Sequence, residues 1–306
     1  MKIGYACKHQ TIQPKNRTIT FKKFNTLNKK EQIHTLYRLA ENNLDSLENI
    51  LLDNIKNNIK MFRITSALFP LTTHKEVVEW WDPVPLFQNK LEHIGNIIKE
   101  NDIRVSLHPG QFTVLTSDNE QVINNAFNEL LHNYNILKSL KLYYYPDIIL
   151  HMGGKYGNMK QAIHNLIRNF NKLPDECKKM IRFENDQHIY GTQEVYHVCK
   201  FLNVPMVLDV THHYHNSNNI DLDTAFYFFF DTWNNATPKI HLSSDSKDCS
   251  IHKHDDYINI NDFINILQYR KIRDFDVMLE CKQTNIALQR LKNELKRNSI
   301  ELYKTF

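Results

Sequence analysis

Eight short apolar runs alternate with eight amphipathic stretches along this 306-residue chain, and few folds accommodate that pattern. The runs cover 2–7, 61–66, 104–109, 148–153, 181–186, 205–210, 239–244 and 276–281, each rich in Ile, Val, Leu or Phe. Nearly continuous apolar runs of this length predict strands covered on both faces. Helical patterns fall between them, over roughly 30–58, 86–101, 118–140, 160–173, 191–202, 221–232, 260–270 and 284–297. In 120–140, for example, Val122, Ile123, Ala126, Phe127, Leu130, Leu131 and Tyr134 recur at helical spacing. Strand alternating with helix implies parallel strands joined by right-handed crossovers. Eight such units predict a single (β/α)8 TIM barrel spanning residues 1–306. No linker, repeat or low-complexity tract interrupts them, and the abundance of Asn and Lys reads as compositional habit.

The ends of the runs carry the chemistry. Six of them finish on an imidazole or a carboxylate: His108, His151, Glu184, Asp209, His241 and Glu280; the run ending at Tyr5 is the polar, non-ligand case. Side chains alternate along a strand, so Arg104, Ser106 and His108 share a face, as do Lys239 and His241. In a barrel that shared direction is inward, and the last inward position lies at the C-terminal mouth. Asp209 and His212 form D-V-T-H, close enough for strand end and loop to serve one centre.

A lone strand-end histidine is commonly a hydrogen-bonded rim residue, and Glu184 alone could pair with Arg182 or Lys155. Six such endings at one mouth predict a metal site. Imidazole mixed with carboxylate suits Zn, Mn, Fe, Co or Ni, and the set exceeds what one tetrahedral zinc needs. Two or three divalent ions are therefore expected, able to clamp both oxygens of a phosphoryl displacement. Lys239 inside the barrel is either neutralised by carboxylates or carbamylated into an anionic bridging ligand. Of His212, His213 and His215 one is expected to ligate, and of His252 and His254 only one needs to reach inward.

Composition removes other classes. Hydrophobic residues at 42% and charged residues at 24% are ordinary for a globular protein, and the net charge of +4 permits a nucleic-acid partner without arguing for one. Five scattered cysteines without C-x-x-C suit a reducing cytoplasm. No signal-peptide core and no run of ~18 apolar residues are present, so no membrane partner is expected. Neither G-x-G-x-x-G nor a Walker A pattern occurs among the seven glycines, so no nucleotide cofactor is expected.

An ordered set of segments then resembles one family. L-H-P-G-Q-F (107–112), L-H-M-G-G-K-Y-G (150–157), F-E-N-D (183–186), V-L-D-V-T-H-H (207–213), P-K-I-H-L-S-S (238–244), H-D-D-Y (254–257) and V-M-L-E-C-K (277–282) are similar to the UV damage endonucleases. I-G-Y-A-C, N-R-T (16–18) and M-F-R-I-T-S (61–66) extend the match from residue 3 to about 282. The resemblance implies a TIM barrel related to endonuclease IV and sugar-isomerase barrels. It implies nicking 5′ to UV photoproducts, such as pyrimidine dimers and 6-4 products, and to some other lesions, with manganese prominent among the metals. By motif, the implied ligands are His74, His108, His151, Glu184, Asp209, His212, Lys239, His241, His254 and Glu280. Glu184, Lys239 and Glu280 are assigned to catalysis, and Lys239 matches a lysine modified in the family.

Gln111 and Phe112 occupy the family's lesion-probing position, where Phe112 keeps a stacking wedge but lacks a tyrosine's hydroxyl; an amide plus an aromatic can fill the gap left by a flipped base. Tyr5 and His9 match the damage pocket, although an asparagine is common at the latter. Arg17, Lys155 and Lys282, with Lys8 and Lys15, are candidate phosphate contacts, and Trp80 and Trp81 either stack on DNA or pack. The expected protein is a monomeric, metal-dependent endonuclease of damaged double-stranded DNA that flips the lesion and activates water with its metals. An endonuclease IV-like abasic-site enzyme and a sugar isomerase or epimerase share the scaffold and remain alternatives, as does a non-catalytic DNA-binding barrel.

Overall fold

The strands are four or five residues long, too short to hold a sheet alone, and they become stable by closing on one another. The computed structural model describes residues 1–245 and 254–300. Its eight parallel strands are β1 (Ile3–Ala6), β2 (Met61–Ile64), β3 (Arg104–Leu107), β4 (Asp147–His151), β5 (Ile181–Glu184), β6 (Met206–Asp209), β7 (Lys239–Leu242) and β8 (Asp276–Leu279). They hydrogen-bond in sequence order, and β8 returns to β1 to complete a closed barrel. This is the (β/α)8 TIM barrel that the alternation predicts.

Among the described residues the chain forms twelve α-helices. The short ones are α1 (Phe21–Phe24), α3 (Pro83–Leu86), α7 (Asp175–Lys178) and α9 (Val210–His215). The crossover helices are α2 (Lys29–Lys56), α4 (Gln88–Glu100), α5 (Glu120–Ser139), α6 (Met159–Asn171), α8 (Thr192–Leu202), α10 (Leu222–Thr232), α11 (Ile260–Leu267) and α12 (Thr284–Arg297). Asparagine has a structural use here that composition alone hides. Asn28 opens α2 in a capping box with Glu31, and Asn119, Asn158 and Asn259 cap α5, α6 and α11 with their side-chain oxygens. None of the described helices is long and apolar enough to cross a membrane.

Most strands end about two residues before the apolar runs do. His108 and Glu280 lie one residue past β3 and β8, where the chain leaves the ladder and the side chain turns across the mouth. Register sets neighbours at equal height: His151 beside Glu184, and Asp209 beside His241. One layer lower, Lys239 stands beside Asp276. There a second charged group fills the barrel floor. Arg104 Nη2 lies 3.0 Å from Asp147 Oδ2 and its Nη1 lies 2.9 Å from Asp276 Oδ2. Arg182 Nε is 3.1 Å from Asp147 Oδ1, and Lys239 Nζ is 2.9 Å from Asp147 Oδ2.

A candidate metal centre at the C-terminal mouth

Among the described residues, three overlapping groups of donor atoms meet above that floor. His108, His151 and Glu184 form one, Glu184, Asp209 and His212 a second, and Glu184, His241 and Glu280 a third; within each the donors lie within 4.8 Å of one another. Glu184 belongs to all three. It is buried at the end of β5, which places one carboxylate at the hub of the mouth.

The tautomers suit a cation. His108 donates its Nδ1–H to the carbonyl of Pro109 (3.0 Å), since a carbonyl can only accept. Its Nε2 therefore turns a lone pair toward Glu184 Oε2, 3.2 Å away. His212 likewise donates Nδ1–H to the carbonyl of Asn185 (3.0 Å), which leaves the lone pair of the neutral ring on Nε2. A ring nitrogen fixed by a backbone carbonyl is the usual support of a metal-ligating histidine. Two acceptors facing each other at 3.2 Å need a cation or a proton between them. Buried atoms point the same way: His151 Nδ1, Asp209 Oδ2 and His241 Nε2 find no hydrogen-bond partner among the described residues. The donor set thus fits divalent metal.

Protons hold the cluster together where cations are absent. His241 Nδ1 lies 2.7 Å from Glu184 Oε1 and 2.9 Å from Glu280 Oε1. Burial alone would depress this imidazole, but the two carboxylates push it up to about 9. Burial works in the opposite sense on Glu184, whose carboxyl His241 and then His151 hold well below the ordinary range. Asp209 is locked by backbone: Asn185 donates Nδ2–H to its carbonyl and accepts its N–H through Oδ1, both at 2.9 Å. Asp209 Oδ1 also caps α9 by accepting the His212 N–H (2.7 Å), so strand end and ligand-bearing helix are positioned by one residue.

Other expected site residues take different places. Lys239 pairs with Asp147 in the floor, one layer under His241. His254 approaches the rim with Nε2 3.8 Å from Glu280 Oε2, whereas His252 lies outside the described residues. His74 stands outside the groups, stacked on Phe21 with ring centroids 3.8 Å apart. Tyr5 and His9 are not open to a base in this conformation. Tyr5 is fully buried and donates its hydroxyl to Asn54 Oδ1 (2.8 Å). His9 contacts Asp53 through Nε2 (3.1 Å) and accepts the N–H of Ile12 at Nδ1 (3.2 Å). Phe112 is the opposite, 83% exposed beside the exposed Gln111 on the loop after β3. Arg17, Lys155 and Lys282 are exposed on loops after β1, β4 and β8. Trp81 is buried packing, and Trp80 lies under the ammonium of Lys29, 3.1 Å from the ring centroid.

Two participants went unassigned from sequence. Asn185 is one, a loop residue whose spacing says nothing of the two bonds it makes. Arg63 is the other: its Nη1 donates to Glu280 Oε1, tying the end of β2 to the third donor group. Its signature was readable, an arginine at an inward position of an otherwise apolar strand.

The profile of the family described as UV-endonuclease UvdE matches residues 1–303. A UV DNA damage endonuclease from Bacillus cereus strain G9842 is 36% identical over 302 residues, covering 96% of this chain and 94% of its own. One from Bacillus mycoides strain KBAB4 is 36% identical over 285 residues, covering 91% and 89%. Among solved structures, that of SacUVDE superposes with a TM-score of 0.87 at 27% identity, covering 98% of this chain and 100% of that one. D-psicose 3-epimerase from Clostridium cellulolyticum H10 shares the fold alone, with a TM-score of 0.55 at 12% identity over 83% of this chain and 93% of its own. On sequence and structure together, the chain belongs to the UV damage endonuclease family.

Proposed function

We propose that this protein nicks damaged double-stranded DNA 5′ to UV photoproducts, using two or three divalent cations, manganese foremost, at the barrel mouth. The observation that carries the reading is the hub at Glu184, where the imidazole and carboxylate donors of three overlapping groups converge within 4.8 Å. When bound, such ions lower the pKa of a coordinated water and offset charge on the transferring phosphoryl group. His108, His151, Glu184, Asp209, His212, His241 and Glu280 would hold them, with His254 at the rim. The protein's own contribution is positional. Pro109 and Asn185 fix the tautomers of His108 and His212, and Arg63 and His241 orient Glu280 Oε1 so that Oε2 stays available. Phe112 and Gln111 project from the neighbouring loop, free to enter the base stack when a lesion leaves it. Incision in this sense leaves a 3′-hydroxyl and a 5′-phosphate.

Carbamylation of Lys239 belongs to the same proposal. Burial, and the nearby Arg104 and Arg182, lower its ammonium to about 8, so a neutral amine is accessible near physiological pH. The two guanidiniums that disfavour an ammonium there would favour an anion, against the opposing pull of Asp147 2.9 Å away. Intact mass under non-acidic conditions should show one added CO2, absent in Lys239→Arg.

The decisive experiment incubates purified protein with UV-irradiated and untreated plasmid in manganese, magnesium or chelator. Nicking confined to irradiated plasmid and metal is expected, lost in Glu280→Gln. Equal nicking of both plasmids, or preference for an abasic site over a dimer, replaces this reading.

A further inference from the structure

The chain's charge is distributed far less evenly than its net value suggests. Residues 1–30 contain eight lysines and arginines and not one aspartate or glutamate. The remaining 30 of the 38 cations share the rest of the chain with all 34 acids, leaving it at −4. The whole positive excess of the protein therefore lies in its first tenth. All but Lys2 of these cations follow β1, on the mouth side of the barrel. Lys8, Lys15, Arg17, Lys22, Lys23 and Lys30 are exposed, and none forms an ion pair among the described residues.

This segment has a fixed shape. Asn43 accepts the N–H of Arg17 and donates to its carbonyl, at 2.8 and 2.9 Å. Asn42 donates to the carbonyl of Lys15 (3.0 Å) and Asn49 to that of Gln13 (3.1 Å), so three residues of α2 hold the loop. Gln10 is tied to Asn285 and to the carbonyl of Lys282, just beyond Glu280. Farther along, Phe21 stacks on His74 and Phe24 on Trp80, which leaves Lys22 and Lys23 facing solvent. Beneath the loop a pocket of about 380 Å3 opens between Lys8, Lys15, Arg17, Ser46 and Thr65. β5 stands across the ring from β1, and the loops after β5 and β7 carry Asp186, Asp245, Asp255 and Asp256.

We propose that this acid-free segment is a preformed phosphate-binding flank, and that the duplex runs over the β1–β2 side of the mouth and away from the β5–β7 side. The proposal rests on the DNA-endonuclease reading above and adds to it the path of the substrate. Cations on a backbone held in place, without acidic partners, release counterions from DNA at little ordering cost, while Asp255 and Asp256 opposite, outside any ion pair among the described residues, disfavour the phosphate backbone there. Every contact of this kind is indifferent to sequence and damage, so the flank governs binding of intact duplex as much as of a lesion.

The test measures binding of an undamaged fluorescent duplex in chelator, across a salt titration, so that metal and chemistry play no part. The combined variant Lys15→Gln, Arg17→Gln, Lys22→Gln, Lys23→Gln is compared with Lys172→Gln, Lys271→Gln, Lys296→Gln, Arg297→Gln, which removes equal charge elsewhere. Each contact should contribute about 0.9 to the slope of log affinity against log salt, so the first variant should lose up to ~3.6 and bind roughly tenfold or more weakly. The second should keep the wild-type slope. Equal slopes in both variants, with wild-type circular dichroism melts, overturn the flank even when the wild type nicks irradiated plasmid. A slope lost only in the first variant upholds it even when no plasmid is nicked.

Discussion

The two ends of the barrel interior solve the same physical problem in opposite ways. At the floor, Arg104, Arg182 and Lys239 face Asp147 and Asp276, and opposite charges lie about 3 Å apart. At the mouth, Glu184, Asp209 and Glu280 meet chiefly histidines, with Arg63 on Glu280, and His151 Nδ1 and Asp209 Oδ2 find no hydrogen-bond partner among the described residues. A buried charge is tolerable only when paired. The floor carries its own charged partners, whereas the mouth gathers the mixed imidazole and carboxylate donors that suit a divalent cation. Lys239 and His241, two residues apart on β7, belong to these two different systems.

Substituting the hub of each system should separate them. Glu184→Gln removes the carboxylate common to all three donor groups; nicking of irradiated plasmid should fall by about a thousandfold or more, roughly 4 kcal/mol of barrier. It should also abolish thermal stabilisation by manganese, which for a protein at a hundred times its dissociation constant is about 2.7 kcal/mol. Asp147→Asn has the converse signature. Three cations lose their shared carboxylate, at a cost of about 3–5 kcal/mol in urea unfolding with chelator present, while the manganese increment persists. A variant at the floor that lost the increment, or one at the mouth that kept it, would erase the distinction.

How much of this could be read beforehand follows the same division. The barrel and the convergence of histidines and acids at its mouth were legible because strand periodicity fixes which residues face inward, and a histidine or glutamate ending an apolar run is conspicuous. The floor was half legible: Lys239 stood out, but its partner Asp147 precedes an apolar run and looks like a loop residue. Pairing across strands depends on register, which no local pattern contains. Tyr5 and His9 matched a motif for contact with damage, yet Asn54 and Asp53 on α2 engage both, a packing relation some 45 residues distant in sequence.

Arg63 tests whether the systems meet. It is a cation in the mouth, bound to Glu280, and so resembles a floor residue transplanted upward. As a positioning group it should matter less than the ligand it holds. Arg63→Gln is expected to weaken manganese binding about 10–100-fold by calorimetry, with Arg63→Lys recovering part of the loss. An affinity unchanged in both variants would mean that Glu280 is oriented by His241 alone.

The smallest expected effect is the pH response of the metal-free mouth. Folding raises His241 from its ordinary value to about 9, because Glu184 and Glu280 outweigh the burial that opposes protonation. A folded value above the unfolded one makes the imidazolium stabilising below about 6.5, and that contribution is lost as pH rises through about 9. In chelator the melting temperature of the wild type should therefore fall relative to His241→Asn by a few degrees between pH 6.5 and 9.5. Manganese reverses the sign. The ion competes with the proton for the same nitrogens and carboxylates, so its stabilising increment should grow over the same interval. The floor supplies the internal control, since Asp147→Asn leaves His241 and both carboxylates in place and should preserve both trends. A chelated protein whose stability ignored pH while manganese still stabilised it would show that metal, rather than a proton on His241, is already what the folded mouth is built around.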